Sequence, residues 1–171
     1  MRTLRILILD VDGTLTDGKI YMSAGGELFK SFNVKDGLGI KEILPELNIV
    51  PVILTGRKSR ILEERCEELN IRHLYQNVSQ KFEKLQEILE IPDLKKQGIT
   101  LQQVGYVGDD RNDLECIRKI KSSGGVVGCP KDAIDEIKNI ADFVSEKNGG
   151  EGAVRDFIDW LCDQNQKRER I

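Results

Sequence analysis

Asp10 and Asp12 stand two residues apart in the run Asp-Val-Asp-Gly-Thr, directly after the apolar stretch Leu4 to Leu9. Gly13 lets the chain turn sharply there, which leaves both carboxylates exposed where such a strand ends. By itself this pattern is weak, because Asp and Gly are ordinary turn formers. Three further pieces fall in comparable places. Thr55 closes the run IVPVIL, Lys81 opens a helical pattern after RHLYQNVS, and Asp109 with Asp110 closes VGYVG. In an open parallel α/β sheet the carboxyl ends of the strands share one rim, so residues this far apart in sequence can converge.

The residue types suit phosphoryl transfer, in which catalysis is mostly positioning and neutralising negative charge. Several acids facing a phosphate demand a cation, and hard carboxylate oxygens favour Mg2+. The expected ligands are Asp10, the backbone carbonyl of Asp12, and Asp109. Asp10 is then the nucleophile that attacks phosphorus, splitting one difficult displacement into two easier ones. Asp12 is the acid/base that protonates the leaving group and later activates water. The Thr55 hydroxyl, the Gly56 backbone N–H and the Lys81 ammonium hold the phosphoryl oxygens. Asp113 is expected to support the metal from outside its immediate ligands. Asp110 fits either that duty or the plain preference of acids for helix starts.

These residues need a scaffold that brings strand ends together. Six short apolar runs, LRILIL, IVPVIL, RHLY, VGYV, GVV and DFVS, alternate with helix-period segments, which predicts a Rossmann-like three-layer α/β fold with a parallel sheet. Phe82, Leu85, Ile88 and Leu89 share one helical face, as do Val154, Phe157, Ile158 and Leu161. Residues 18–33 break the alternation and read as a β-hairpin flap around Gly25 and Gly26. Thr100 to Gln103 carries capping-box chemistry with room for one helical turn. Residues 163–171 read as a frayed, solvated tail. No interval between motifs is long enough for a cap domain, and 1–171 reads as a single domain.

Composition narrows the partners. The chain has 171 residues and a formal charge of -3, with Lys and Arg scattered, so nucleic acid is not an expected partner. Cys66, Cys116, Cys129 and Cys162 are widely spaced and His73 is the one histidine, which predicts reduced packing thiols rather than a zinc site. The apolar stretch before Asp10 is too short for a signal segment or membrane span, so a cytoplasmic protein with no membrane partner is expected.

Taken in order, DVDGT, LTGR, Lys81 and GDDRND resemble the four motifs of the haloacid-dehalogenase superfamily. The resemblance implies an α/β fold, a phosphatase mechanism through an aspartyl-phosphate, and the same roles for Asp10, Asp12, Thr55, Lys81 and Asp109. DVDGTLTDGKIY, FNVKDGLGI, LTGRKS with Arg65, and GGEGAVRDF are similar to the subgroup that dephosphorylates eight- and nine-carbon keto-sugar acids, including one in lipopolysaccharide precursor synthesis. That implies a small phosphorylated sugar acid as substrate, held by Arg57 and by Arg65. It also implies a homotetramer in which the hairpin and the C-terminal segment, with Gly149, Gly150 and Gly152, cover neighbouring sites. Three features depart from the subgroup: Asn77 replaces a usual Gly, Asp156 a usual Glu, and Pro92 to Thr100 looks like an enlarged surface loop.

Two other classes of protein share parts of this pattern. A signalling receiver domain uses similar residue types, but its phosphoacceptor follows the third strand, and RHLYQN supplies no Asp there. A non-catalytic oligomerisation module would have no need of every catalytic residue type.

Overall fold

The computed structural model describes residues 4–169. Eight strands form among them: β1 Ile6–Leu9, β2 Tyr21–Ser23, β3 Gly26–Phe29, β4 Val50–Leu54, β5 His73–Tyr75, β6 Val104–Val107, β7 Val126–Cys129 and β8 Phe143–Val144. The helices are α1 Val34–Leu38, α2 Leu44–Glu46, α3 Arg60–Glu68, α4 Lys81–Leu89, α5 Pro92–Lys95, α6 Leu114–Ser122, α7 Asp135–Lys138 and α8 Ala153–Glu169, with a π-helical turn over Gly39–Ile43 joining the first two.

The six runs that read as strands form one sheet in the order β5-β4-β1-β6-β7-β8, with every neighbouring pair parallel. Both faces are covered, and the strand period of two divides the apolar residues between them. Leu7, Leu9 and Ile53 face one core with Leu44, Leu62, Val154, Phe157 and Ile158. Ile6, Ile8, Val52 and Leu54 face the other with Leu85, Ile88, Ile117 and Ile120. Burying each such side chain stabilises the fold by about 1.5–3 kcal/mol, so the three layers follow from strands that are apolar on both sides.

The connection leaving β1 runs through α1 and α2 on one face, whereas β6 leads into α6 on the other. β1 and β6 are hydrogen-bonded neighbours, so their carboxyl ends form the crevice where open α/β sheets bind ligands. Asp10 and Asp109 follow those two strands.

The hairpin is β2 paired antiparallel with β3, and the Tyr21 and Phe29 rings stack with centroids 4.2 Å apart. At the other end of the chain, the start of α8 is held by a distant residue. The buried carboxylate of Asp36 on α1 accepts the Arg155 N–H at 2.7 Å, satisfying one of the donors a helix start leaves orphaned.

Three local expectations are refined. Residues 163–169 lie within the bounds of α8, and residues 170–171 of the expected tail lie outside the described residues. The Pro92 to Thr100 stretch is more than a surface loop, since it forms α5 and sends Leu94 and Ile99 into the second core. Asn77 adopts φ 57°, a left-handed conformation that Asn tolerates better than most residues. Thr100 caps a single 3-10 turn over Leu101–Gln103. The four cysteines form no disulfide, and three are buried. No helix among the described residues is long and apolar enough to cross a membrane.

Candidate active site

The last sheet contact of the first strand is Asp10 N–H to the Val107 carbonyl, at 3.0 Å. The chain then wraps one oxygen: the N–H groups of Thr14, Leu15 and Thr16 all donate to the Val11 carbonyl, at 3.2, 2.9 and 3.0 Å. Gly13 sits in this loop at φ 95°, and a side chain there would collide with the Asp109 carboxylate. Glycine is therefore required for the two acidic loops to approach. Thr14 completes the contact by donating its hydroxyl to Asp109 Oδ1 at 3.1 Å.

Lys81, the first residue of α4, points into the same crevice with its side chain 1% exposed, and its Nζ lies 2.7 Å from both Asp10 Oδ1 and Asp113 Oδ1. Asp113 is fully buried and accepts from four donors. Oδ1 takes Lys81 and the Tyr106 hydroxyl, at 2.7 Å each; Oδ2 takes the Asp109 and Asp110 N–H groups, at 3.1 and 3.3 Å. Asp113 thus fixes both the ammonium and the backbone that carries Asp109. Asp110 is exposed, and its side chain caps the following turn by accepting the Arg111 N–H at 2.7 Å.

Asp10, Asp109 and Asp113 each offer an oxygen within 4.8 Å of the others. Burial, then the charge of Asp113, raises the Asp10 carboxyl to about 6 despite Lys81. Burial, then the charges of Asp10 and Asp113, raises Asp109 to about 8. For Lys81 burial works the other way, but Asp10 and Asp113 outweigh it and hold the ammonium above its ordinary value. Carboxylates crowded to this degree fit a hard divalent cation. Both oxygens of Asp113 are taken by the protein's own donors, whereas Asp10 and Asp109 each accept one side-chain donor, Lys81 and Thr14 respectively.

Thr55 is buried at the end of β4, and its loop is clipped to the one before Lys81. Thr55 N–H donates to Tyr75, Val78 N–H to Thr55 and Asn77 N–H to Arg57, at 3.0, 3.1 and 3.3 Å. The left-handed Asn77 makes this turn, and Gly56 lies exposed within the clipped loop. Arg57 reaches the hairpin, with Nη2 3.7 Å from Glu27 Oε1. Arg65 does not join this group. It lies over the Phe32 ring and pairs with Glu68 at 2.7 Å, while its guanidinium fills the space beside Gly37.

Four residues given no role from the sequence belong to the constellation: Thr14, Tyr106, Lys30 and Glu27. Lys30, which follows β3, pairs with Asp12 and is almost wholly buried. Nothing in the run LFKSF separates such a lysine from one on a solvated hairpin face, and Tyr106 within VGYV reads as plain core. Thr14 stood inside a quoted motif and could have been found there. Gly149 and Gly150 lie on this chain's own 13–17 loop, where Gly150 N–H donates to the Thr14 carbonyl at 3.1 Å and a side chain at Gly149 would collide with the Gly13 carbonyl.

Residues 70–158 match the family model of the haloacid dehalogenase-like hydrolases. The chain is 44% identical over 158 residues, 92% of its length and 79% of the other's, to the 3-deoxy-D-manno-octulosonate 8-phosphate phosphatase KdsC of Salmonella typhi. It is similar to the cobalt-bound form of the corresponding phosphatase from Haemophilus influenzae, with a TM-score of 0.83 and 35% identity over 94% of this chain and 88% of that one. The Moraxella catarrhalis phosphatase, in complex with magnesium ion, phosphate ion and KDO, superposes with a TM-score of 0.83 at 32% identity over 94% of this chain and 87% of that one.

Because Asp10 and Asp109 sit above the ordinary carboxylate value of 3.8, the metal-free fold holds extra protons between about pH 4 and pH 8, and its stability rises as pH falls through that window. A metal must displace those protons. Calorimetric titration with Mg2+ should therefore show apparent affinity increasing from pH 6 to pH 8.5, with proton release on binding; affinity independent of pH would contradict the assigned ligands.

Proposed function

This chain belongs to the haloacid dehalogenase-like hydrolases, and from that premise we propose that it hydrolyses 3-deoxy-D-manno-octulosonate 8-phosphate to 3-deoxy-D-manno-octulosonate and phosphate, a step of lipopolysaccharide precursor synthesis. The observation that carries this reading is the cluster of buried Asp10, Lys81 and Asp113 with the half-buried Asp109 at the β1/β6 crevice, in a chain similar to such phosphatases over nine-tenths of its length.

Mg2+, held by Asp10, Asp109 and the Asp12 backbone carbonyl, would screen the negative charge of the phosphate and of the nucleophile. Asp10 attacks phosphorus, and the bond from phosphorus to the sugar oxygen breaks. Asp12 gives its proton to the departing alkoxide. It then takes a proton from the water that attacks the aspartyl-phosphate, so that phosphate leaves and Asp10 is restored. Lys81, Thr55 and the Gly56 N–H hold the phosphoryl oxygens, and Asp113 keeps Lys81 and the Asp109 loop in place. Asp110 serves as the cap of its turn. Arg57 holds the sugar acid's carboxylate. Arg65, already engaged by Phe32 and Glu68, supports the base of the hairpin.

We further propose a homotetramer. Ile20, Met22 and Leu28 on the hairpin are each about 60% exposed, and Val34 just beyond is 77% exposed; large apolar side chains exposed together on one short segment suit an interaction site. The hairpin turns Glu27 and Lys30 toward its own chain's site, and its apolar side, together with the C-terminal segment, faces the neighbours.

Three outcomes follow. With saturating Mg2+, Asp10→Asn should abolish turnover and Asp12→Asn should lower kcat by about 10²- to 10⁴-fold while still binding metal; residual turnover in Asp10→Asn would exclude the covalent route. Across a panel of phosphorylated sugar acids, kcat/KM should favour the eight-carbon acid over nine-carbon ones, and Arg57→Ala should raise KM for the acid about tenfold or more with little change for an aryl phosphate. Equal losses on both would remove the carboxylate role. In sedimentation equilibrium the protein should be tetrameric and Met22→Glu with Leu28→Glu should dissociate it; a monomeric wild type would end the assembly reading.

A further inference from the structure

The inward side of the hairpin carries a carboxylate in the middle of an anion-binding group. Glu27 Oε2 accepts the Ser59 hydroxyl, and Glu27 Oε1 lies 3.3 Å from Lys30 Nζ and 3.7 Å from Arg57 Nη2. Ser59 is buried, and its oxygen accepts the Leu62 N–H at 3.2 Å. Its single proton is thus committed to Glu27. Burial works against the Glu27 charge, but the hydrogen bond from Ser59 and the ammonium of Lys30 hold its carboxyl below the usual range.

Two details indicate that this group is not built for Glu27 alone. Arg57 Nη1 is shielded from water yet has no hydrogen-bond partner, so Glu27 leaves part of the guanidinium unsatisfied. Buried donors in that condition cost stability unless something completes them. Lys30 also bridges Glu27 to Asp12, which sets the anion seat beside the reacting carboxylates, where the far end of a phosphorylated acid would lie.

We infer that Glu27 is a built-in occupant of the substrate's carboxylate seat: the incoming acid displaces Glu27 from Arg57, Ser59 and Lys30, and the hairpin is released as the substrate binds. This rests on the reading that the substrate is a phosphorylated sugar acid. Glu27 and the substrate are then competitors for the same donors. A purely structural Glu27, which held Arg57 in position for the substrate, would act in the opposite direction.

The sign of one kinetic change separates the two. With Mg2+ present, Glu27→Gln should lower the ratio of KM for 3-deoxy-D-manno-octulosonate 8-phosphate to KM for p-nitrophenyl phosphate about threefold or more, because a neutral amide competes less well for charged donors. The free sugar acid should inhibit Glu27→Gln more tightly by a similar factor, and inhibition by inorganic phosphate should not change; this second measurement reads the seat without any chemistry. An unchanged or raised KM ratio in an enzyme that still hydrolyses both substrates would overturn the inference and leave the functional reading standing. A wild type that hydrolyses p-nitrophenyl phosphate but not the sugar acid would overturn both.

Discussion

Asp10, Asp109 and Asp113 each bring a carboxylate oxygen within 4.8 Å of the others, with Asp10 and Asp113 buried, and the ammonium of Lys81 balances only one of them. The two remaining negative charges explain most of what surrounds them. Second to burial itself, they raise Asp10 and Asp109 toward neutrality; they also hold Lys81 charged although it is buried, and they make a divalent cation the natural complement. A buried ion pair is no guarantee of stability. Here its value lies in placement: Asp113 spends both oxygens on four donors and so locks the ammonium and the Asp109 backbone into one arrangement.

Such a cluster cannot be built on one element, because adjacent like charges would spread apart. The parallel sheet solves this by supplying Asp10 from the end of β1 and Asp109 and Asp113 from the turn after β6. β1 and β6 are bonded neighbours whose connections leave on opposite faces, so their carboxyl ends open a gap wide enough for chemistry. The surrounding loops are then fastened to each other. Thr55, Arg57, Asn77 and Val78 form one clip, and Val11, Gly13, Thr14 and Gly150 form another. Both clips need backbone that few side chains permit, which is why Gly13 and Asn77 sit where they do.

The hairpin adds a layer of opposite charge. Lys30 places a cation against Asp12, and Glu27 links Lys30 to Arg57. The site is thus alternating in sign from the metal acids outward, an arrangement suited to a substrate with a phosphate at one end and a carboxylate at the other. The same hairpin leaves Ile20, Met22 and Leu28 in water, an apolar cost that packing against a second copy would offset.

Strand positions, the three layers, the hairpin and the convergence of Asp10, Lys81 and Asp109 on one rim were legible in the sequence. Each depends on a local pattern: an apolar run with a chemically loaded residue at its end, or a glycine where the chain must turn. The four donors on Asp113, the approach of Thr14 to Asp109, and the reach of Lys30 and Glu27 into the site were not legible in this way. They join residues between 3 and 95 positions apart in the chain, and no local pattern records which of many exposed-looking polar side chains will meet. Only the tertiary structure decides this, because the angle at which the hairpin folds back over the strand ends determines which buried charges face each other.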